Sequence, residues 1–182
     1  MDISQITSSL FVAASPQGCQ RDQLIARKIG LVISMIAKES PPQSFARPPL
    51  QMLWLPCFDS VFLPIPLTYL ARGVESALPI IQRGQSVLVY CAQGRHRSVA
   101  MAAAILIAEG RTARQSADLL MAKRNLADPQ AAHIYARILA FESFWQNKKA
   151  WPRSFSEAYA EYSTRFSLAT LQHLRPLNFH RE

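Results

Sequence analysis

The chain has 182 residues, of which 49% are hydrophobic, and it carries a formal net charge of +8. This length supports one well-buried core and excludes two large domains, and the longest apolar run, ten residues from Val99, is too short to span a bilayer. Three cysteines without paired spacing, and a start at Met1 without a basic segment and an apolar core, predict a protein of the reducing cytoplasm and not a secreted one.

Strand-like and helix-like runs alternate along the first half of the chain. Apolar, β-branched runs lie at 9–14, 31–36, 50–55 and 86–90. Helix-like runs lie at about 20–29 and 66–83, and Pro66 suits the opening of the second. This order predicts an α/β fold, a single domain whose mostly parallel central sheet is flanked by helices.

Three more helices are predicted after the last strand. The run from Val99 to Ala108 is apolar on every face, as in a fully buried helix. Thr112 and Gln115 have the spacing of a capping box for a helix through residue 124. Asp128-Pro129 suits the N-cap and first position of a helix that reaches about residue 146.

A cysteine and an arginine, five residues apart, stand between the last strand and the buried helix. The run is Cys91-Ala92-Gln93-Gly94-Arg95-His96-Arg97-Ser98, and we call residues 91–97 the cysteine loop. At a helix N-terminus, unpaired amides and the helix dipole favour an anion, and a phosphate dianion fits such a site. We therefore expect the loop residues Ala92, Gln93, Gly94, Arg95 and His96 to contact the phosphate.

The side chains of this run indicate chemistry as well as binding. The helix N-terminus and a neighbouring guanidinium should lower the pKa of Cys91 and make it a nucleophile. Arg97 has the planar fork that holds two phosphoryl oxygens. Gly94 lets the backbone turn, and Ser98 is placed to donate its hydroxyl to the Cys91 sulfur.

The run resembles the signature of the protein tyrosine phosphatase superfamily, which is a cysteine, five residues, an arginine and then serine or threonine. The resemblance to the dual-specificity type covers roughly residues 1 to 146, with Ile3–Ala13 similar to that family's opening strand and Ile29–Met35 to its next core strand. It implies the cysteine-dependent phosphatase fold and a reaction without metal or cofactor.

A general acid is expected on a loop before the cysteine, because expulsion of an alkoxide or phenoxide at neutral pH needs a proton. The dual-specificity type carries an aspartate about thirty residues before its cysteine. Asp59 precedes Cys91 by 32 positions and follows the strand-like run at 50–55. The alternative role for Asp59 is a turn-former in Phe58-Asp59-Ser60.

The predicted function is the hydrolysis of phosphomonoesters through a phosphocysteine, with phosphotyrosine and phosphoserine or phosphothreonine proteins as substrates. Phosphoinositides, nucleotides or RNA 5′ ends would meet the same loop. Two other classes stay open. A rhodanese-like sulfurtransferase also places a cysteine between strand and helix but has no role for Asp59, and a non-catalytic module would bind phosphate without turnover.

Residues 147 to 182 are predicted to form a helical C-terminal extension beyond a catalytic domain of residues 1 to 146. Its aromatic face packs on the same domain or forms a dimer or partner contact.

The net charge of +8 and the isoelectric point near 9.9 favour acidic partners, and phosphorylated substrates explain the charge better than nucleic acid does. His133, His173 and His180 lack metal-ligand spacing, so no metal site is expected. Cys57 leaves open a protective disulfide with Cys91.

Overall fold

A five-stranded sheet forms the centre of the computed structural model, which describes residues 2–15 and 21–147. The strands are β1 (Ile3–Gln5), β2 (Leu10–Ala13), β3 (Ile29–Ser34), β4 (Gln51–Trp54) and β5 (Ser86–Tyr90). Their order is β1-β2-β5-β3-β4, and only the β1–β2 pair is antiparallel. The predicted mostly parallel sheet is confirmed.

Five α-helices and one 3₁₀ turn complete the described part of the chain. They are α1 (Arg21–Ala26), the 3₁₀ turn (Gln43–Ala46), α2 (Leu67–Gln82), α3 (Arg97–Ala108), α4 (Ala113–Lys123) and α5 (Ala132–Gln146). Helix α3 is buried at every position from Arg97 to Ile107, as its all-round apolar sequence predicts. None of the helices that the structure describes is long and apolar enough to cross a membrane.

Two apolar clusters cover the two faces of the sheet, because successive strand side chains point to opposite sides. On β5, Val87 and Val89 pack with α2, α3 and α5, whereas Leu88 and Tyr90 pack with α1 and the 3₁₀ turn. The fully buried β5 thus lies between the two clusters. Its carboxyl end delivers the cysteine loop to the N-terminus of α3.

The capping box of α4 is confirmed, since the Thr112 hydroxyl accepts from the Gln115 amide while the Gln115 side chain accepts from the Thr112 amide. The predicted start of α5 is wrong, because the helix begins at Ala132 and not at Pro129. The Asp128 carboxylate instead accepts from the Ala131 amide and caps a turn ahead of the helix.

Two further boundaries differ from the sequence prediction. Residues 3–13 form a hairpin and not one strand, because Thr7 and Ser9 form a tight turn between β1 and β2. Helix α1 ends at Ala26, and Ile29 already belongs to β3, so the helix-like run at 20–29 is divided between the two elements. The helical extension predicted at residues 147–182, with its aromatic face, lies outside the described residues apart from Asn147.

Candidate active site

The backbone of the cysteine loop turns at Gly94. Gly94 adopts φ +64°, in the left-handed region that favours glycine, and a Cβ there would lie 2.6 Å from the Ala13 carbonyl oxygen. Within residues 2–15 and 21–147, the amides of Gln93, Gly94 and His96 donate to no backbone carbonyl. Unpaired amides at a helix N-terminus make the loop suitable for an anion.

Cys91 is buried at the base of the loop, with 1% of its surface exposed. Its sulfur lies 3.2 Å from the Ser98 hydroxyl oxygen. Burial opposes ionisation of the thiol, but hydrogen bonds from the Ser98 side chain and amide, the Arg97 charge and the Arg95 amide together outweigh it and lower the pKa of Cys91. A larger fraction of this thiol is therefore ionised than in an ordinary cysteine, and the thiolate is the form that attacks.

Arg97 is a buried cation whose guanidinium is only partly paired. Its Nη1 donates to the Met35 carbonyl at 3.0 Å and to the Cys57 carbonyl at 2.9 Å, which fixes the orientation of the plane. Its Nε is buried and has no hydrogen-bond partner among the residues that the structure describes. A buried, unsatisfied donor on a fixed guanidinium indicates an acceptor that binds from outside.

Asp59, predicted from its position before the cysteine, lies at this loop. It follows β4, and its Oδ2 is 3.6 Å from Arg97 Nε. Its Oδ1 is 3.1 Å from His96 Nδ1. The fold thus brings together a thiol, a guanidinium and a carboxyl group that are separated by up to 38 positions in the chain. These are the groups that the sequence proposes as nucleophile, phosphoryl anchor and proton donor.

Arg95 and His96, the two loop residues before Arg97, have different surroundings. Arg95 is an exposed residue, but its Nη2 donates to Asp128 Oδ2 at 2.9 Å, so its charge is already paired. The hydrogen bond from the Arg95 side chain, helped by its charge, outweighs burial and lowers the pKa of Asp128. His96 occupies the N-cap position of α3 without a side-chain capping bond, and its ring lies between Asp59 and Asp128.

Comparison with known proteins finds similar structures but no similar sequence. No protein-family model and no curated protein matches the chain. Human DUSP28 superposes with a TM-score of 0.71 at 22% identity, over 80% of this chain and 96% of DUSP28. The human tyrosine phosphatase-like serine/threonine/tyrosine-interacting protein gives 0.69 at 20% identity, over 80% and 98% of the two chains. PTPMT1 in complex with PI(5)P gives 0.69 at 20% identity, over 81% and 98%.

The chain has the dual-specificity phosphatase fold. Within this fold, the carboxyl end of β5 and the N-terminus of α3 form one wall of a cleft of about 470 Å³. The lining residues are Asp59, Val61, Ala92, Gln93, His96, Arg97 and His133. The cleft therefore holds the Arg97 guanidinium and the Asp59 carboxyl group together, as an ion pair whose Nε makes no hydrogen bond within the described residues.

Arg124 supports the cysteine loop of this dual-specificity phosphatase fold from behind, and sequence analysis did not assign it a role. It is 3% exposed, and its guanidinium donates to the carbonyls of Gly94 at 2.7 Å and Gln93 at 3.2 Å. It also donates to both carboxylate oxygens of Asp2 at 2.8 and 2.6 Å. In the sequence, Arg124 is only the last residue of a predicted helix. Nothing in the neighbouring residues indicates that its side chain is buried.

His133 is the second functional candidate that sequence analysis missed. It lies in the first turn of α5, and its Nε2 is 3.7 Å from Asp59 Oδ1. Its ring meets the His96 ring edge-on, with centroids 5.2 Å apart. The sequence separates His133 from Asp59 by a large part of the domain, so no local spacing could have signalled this contact.

Cys57 has the properties of a buried structural thiol. Burial raises its pKa to about 12, and its sulfur donates to the Met35 carbonyl at 3.6 Å. Cys57 and Cys91 are both free cysteines. The protective disulfide between them therefore stays a prediction, and the thiol at Cys57 is the less reactive of the two.

Proposed function

We propose that the chain is a cysteine-dependent phosphatase of the dual-specificity type, which hydrolyses phosphomonoesters through a phosphocysteine. The observation that carries this proposal is the buried Nε of Arg97, which has no hydrogen-bond partner among the described residues, beside a thiol of lowered pKa. A fixed cation with a free donor supports binding of an anion, and a nucleophile in the same loop supports attack on it.

In the first step, the Cys91 thiolate attacks phosphorus in line with the leaving oxygen. The bond from phosphorus to that oxygen breaks as the bond from phosphorus to sulfur forms. Arg97 and the unpaired amides of the cysteine loop hold the three equatorial oxygens and stabilise their charge. Because Arg97 is already fixed by two carbonyls, little reorganisation is needed when the phosphate binds.

Asp59 supplies the proton that the leaving oxygen takes. Its carboxyl group lines the cleft beside Arg97, within reach of a group bound there. The protein alcohol or phenol then leaves neutral, and the phosphocysteine remains.

In the second step, water attacks the phosphocysteine. Asp59, now a carboxylate, accepts a proton from that water, and the bond between sulfur and phosphorus breaks to release inorganic phosphate. The sulfur leaves as a thiolate. Ser98, whose hydroxyl oxygen is 3.2 Å from this sulfur, stabilises the charge by donating a hydrogen bond.

We infer that the substrates are phosphotyrosine and phosphoserine or phosphothreonine proteins. The cleft is bordered by a loop with exposed apolar side chains, of which Phe58 is 54% and Phe62 89% exposed, and these suit contact with a protein chain. PTPMT1, with the same fold, is known in complex with the phosphoinositide PI(5)P, so a lipid headgroup is the second candidate. A rhodanese-like reaction would leave Asp59 without a role.

We assign this activity to a catalytic domain of residues 1 to 146 and place it in the cytoplasm. A reducing compartment keeps the Cys91 thiol free, as the reaction requires. Residues 147 to 182 then form an extension to that domain.

The proposal is tested with the purified full chain on a panel of phosphopeptides, phosphoinositides and nucleotides, with thiosulfate as the control for sulfurtransfer. We expect phosphate release that vanadate inhibits, and Cys91→Ser should abolish it. Arg97→Lys keeps the charge but loses the fork, and it should reduce turnover by at least two orders of magnitude, or about 3 kcal/mol. Turnover of thiosulfate alone, or activity in Cys91→Ser, would refute the mechanism.

A further inference from the structure

Three metal-ligating side chains converge at the mouth of the cleft, although they come from three separate elements. Asp59 follows β4, His96 is the N-cap residue of α3 and His133 lies in the first turn of α5. One donor atom from each lies within 4.8 Å of the others. The absence of metal-ligand spacing along the sequence therefore did not exclude a site that the tertiary structure assembles.

Hydrogen bonding explains only one contact in this cluster. His96 Nδ1 lies 3.1 Å from Asp59 Oδ1, which is a normal hydrogen-bond distance. His133 Nε2 lies 3.7 Å from the same oxygen, beyond hydrogen-bond range. A second imidazole thus stands beside the carboxylate without forming the bond that would explain its position.

The donor set suits a borderline divalent cation. Two imidazole nitrogens and one carboxylate oxygen, with a fourth position for water, form a tetrahedral zinc site in which donors are about 3.3 Å apart. The side chains of Asp59, His96 and His133 are 33%, 20% and 22% exposed, so they can rotate to close the remaining distance. Mg²⁺ and Ca²⁺ prefer oxygen ligands and would bind poorly.

One neighbouring charge, the Asp128 carboxylate, favours a cation in this cluster, and another, the Arg97 guanidinium, opposes it. His96 Nε2 is buried, has no hydrogen-bond partner among the described residues and lies 3.7 Å from Asp128 Oδ2, so a carboxylate of the kind that orients metal-bound imidazoles stands beside it without a bond in this structure. Arg97 is the opposing charge, but its Nε lies nearer the other Asp59 oxygen, Oδ2, at 3.6 Å. Asp59 can therefore face Arg97 with one oxygen and a metal with the other.

We propose that Asp59, His96 and His133 form a binding site for Zn²⁺ at the mouth of the cleft. If the function proposed above holds, the bound metal inhibits it reversibly. The reason is that a carboxylate bound to zinc cannot deliver a proton to the leaving oxygen. This inhibition rests on the proposed function, whereas metal binding itself does not.

Binding is measured on the full chain carrying Cys91→Ser, because the thiolate of Cys91 is a competing zinc ligand. Titration calorimetry with Zn²⁺ should show one site, and Co²⁺ should give the visible absorption of a four-coordinate ion without a thiolate charge-transfer band. Adding His133→Ala or His133→Asn should weaken binding by at least about tenfold, since losing even an outer-shell partner has that effect. The control Asp118→Asn removes a carboxylate on α4 that is 59% exposed and outside the cleft, and it should leave affinity unchanged; Mg²⁺ should not bind.

Activity is then measured on the chain with Cys91 intact. Zn²⁺ should inhibit phosphate release, a chelator should restore it, and His133→Ala should raise the half-inhibiting zinc concentration by the same factor as the binding change. Absence of binding in Cys91→Ser, or binding that both His133 variants retain, would overturn the site. If His133→Ala leaves the zinc inhibition unchanged, the inhibiting zinc binds Cys91 and not the proposed site. Absence of any phosphatase activity would refute the proposed function and leave the calorimetry to decide the metal site.

Discussion

Replacing Arg124 with methionine removes the charged support behind the cysteine loop while keeping an unbranched apolar side chain. The arginine makes its five hydrogen bonds to Gly94, Gln93, Asp2 and Ser4. Breaking a buried ion pair by removing one partner costs about 3–5 kcal/mol. Because the Asp2 side chain is 47% exposed and can be rehydrated, we expect the lower end, about 3 kcal/mol.

The loss should be visible in both stability and activity. A change of about 3 kcal/mol is a large part of the 5–15 kcal/mol that stabilises a typical domain. Urea denaturation of Arg124→Met should show it as a lower midpoint with an unchanged slope. At temperatures where the variant is folded, turnover should fall more than substrate affinity, because the loop amides would no longer be held in place.

The pH dependence of this contribution has a definite sign. A hydrogen bond from Arg124 lowers the pKa of Asp2 below its ordinary value of 3.8. A lowered folded pKa means that the pair stabilises the native state fully above that ordinary value and loses its contribution as the pH falls through the folded pKa. The stability difference between wild type and Arg124→Met should therefore shrink in strong acid.

The matched control is Arg114→Met, in the helix α4 that ends just before Arg124. Arg114 is 85% exposed, and its one ion pair, with Asp118, is 3.9 Å long. Its loss should change stability by no more than about 0.5 kcal/mol. If Arg124→Met is as stable and as active as Arg114→Met, the argument that Arg124 supports the cysteine loop is wrong.

Three further changes test the site. Asp59→Asn should slow hydrolysis of a phenyl phosphate with a basic leaving group far more than that of an activated ester, and an equal loss across a leaving-group series would make Asp59 a loop-capping residue. Ser98→Ala removes a hydrogen bond that lowers the pKa of Cys91, so the acidic limb of the kcat/KM profile should move to higher pH. Gly94→Ala places a Cβ 2.6 Å from a backbone oxygen at φ +64°, whereas Gly84→Ala at φ +73° meets nothing within 4 Å. Urea denaturation should therefore show a larger destabilisation for Gly94→Ala, by roughly 1–3 kcal/mol, and an equal loss in the two variants would mean that backbone conformation alone matters.

The parts of the site that the sequence predicted depend on local signals. Cys91, Gly94, Arg97 and Ser98 lie within eight consecutive residues between a strand and a helix, and the structure places them together. Asp59 was found through the family resemblance, since its local sequence fits an ordinary turn equally well. The prediction that Asp128 begins α5 was wrong because an N-cap signal also fits a turn, and the ion pair with Arg95 is not visible in the sequence.

The sequence by itself determined the alternation of strands and helices, the buried α3 and the cysteine loop with the cysteine and the arginine that we propose as nucleophile and phosphate ligand. Hydrophobic periodicity and short motifs encode these features within a few residues. Only the tertiary structure decided that Arg124 supports the loop and that His133 meets Asp59. These contacts join residues from distant parts of the chain, and their geometry depends on how α4 and α5 pack against α3.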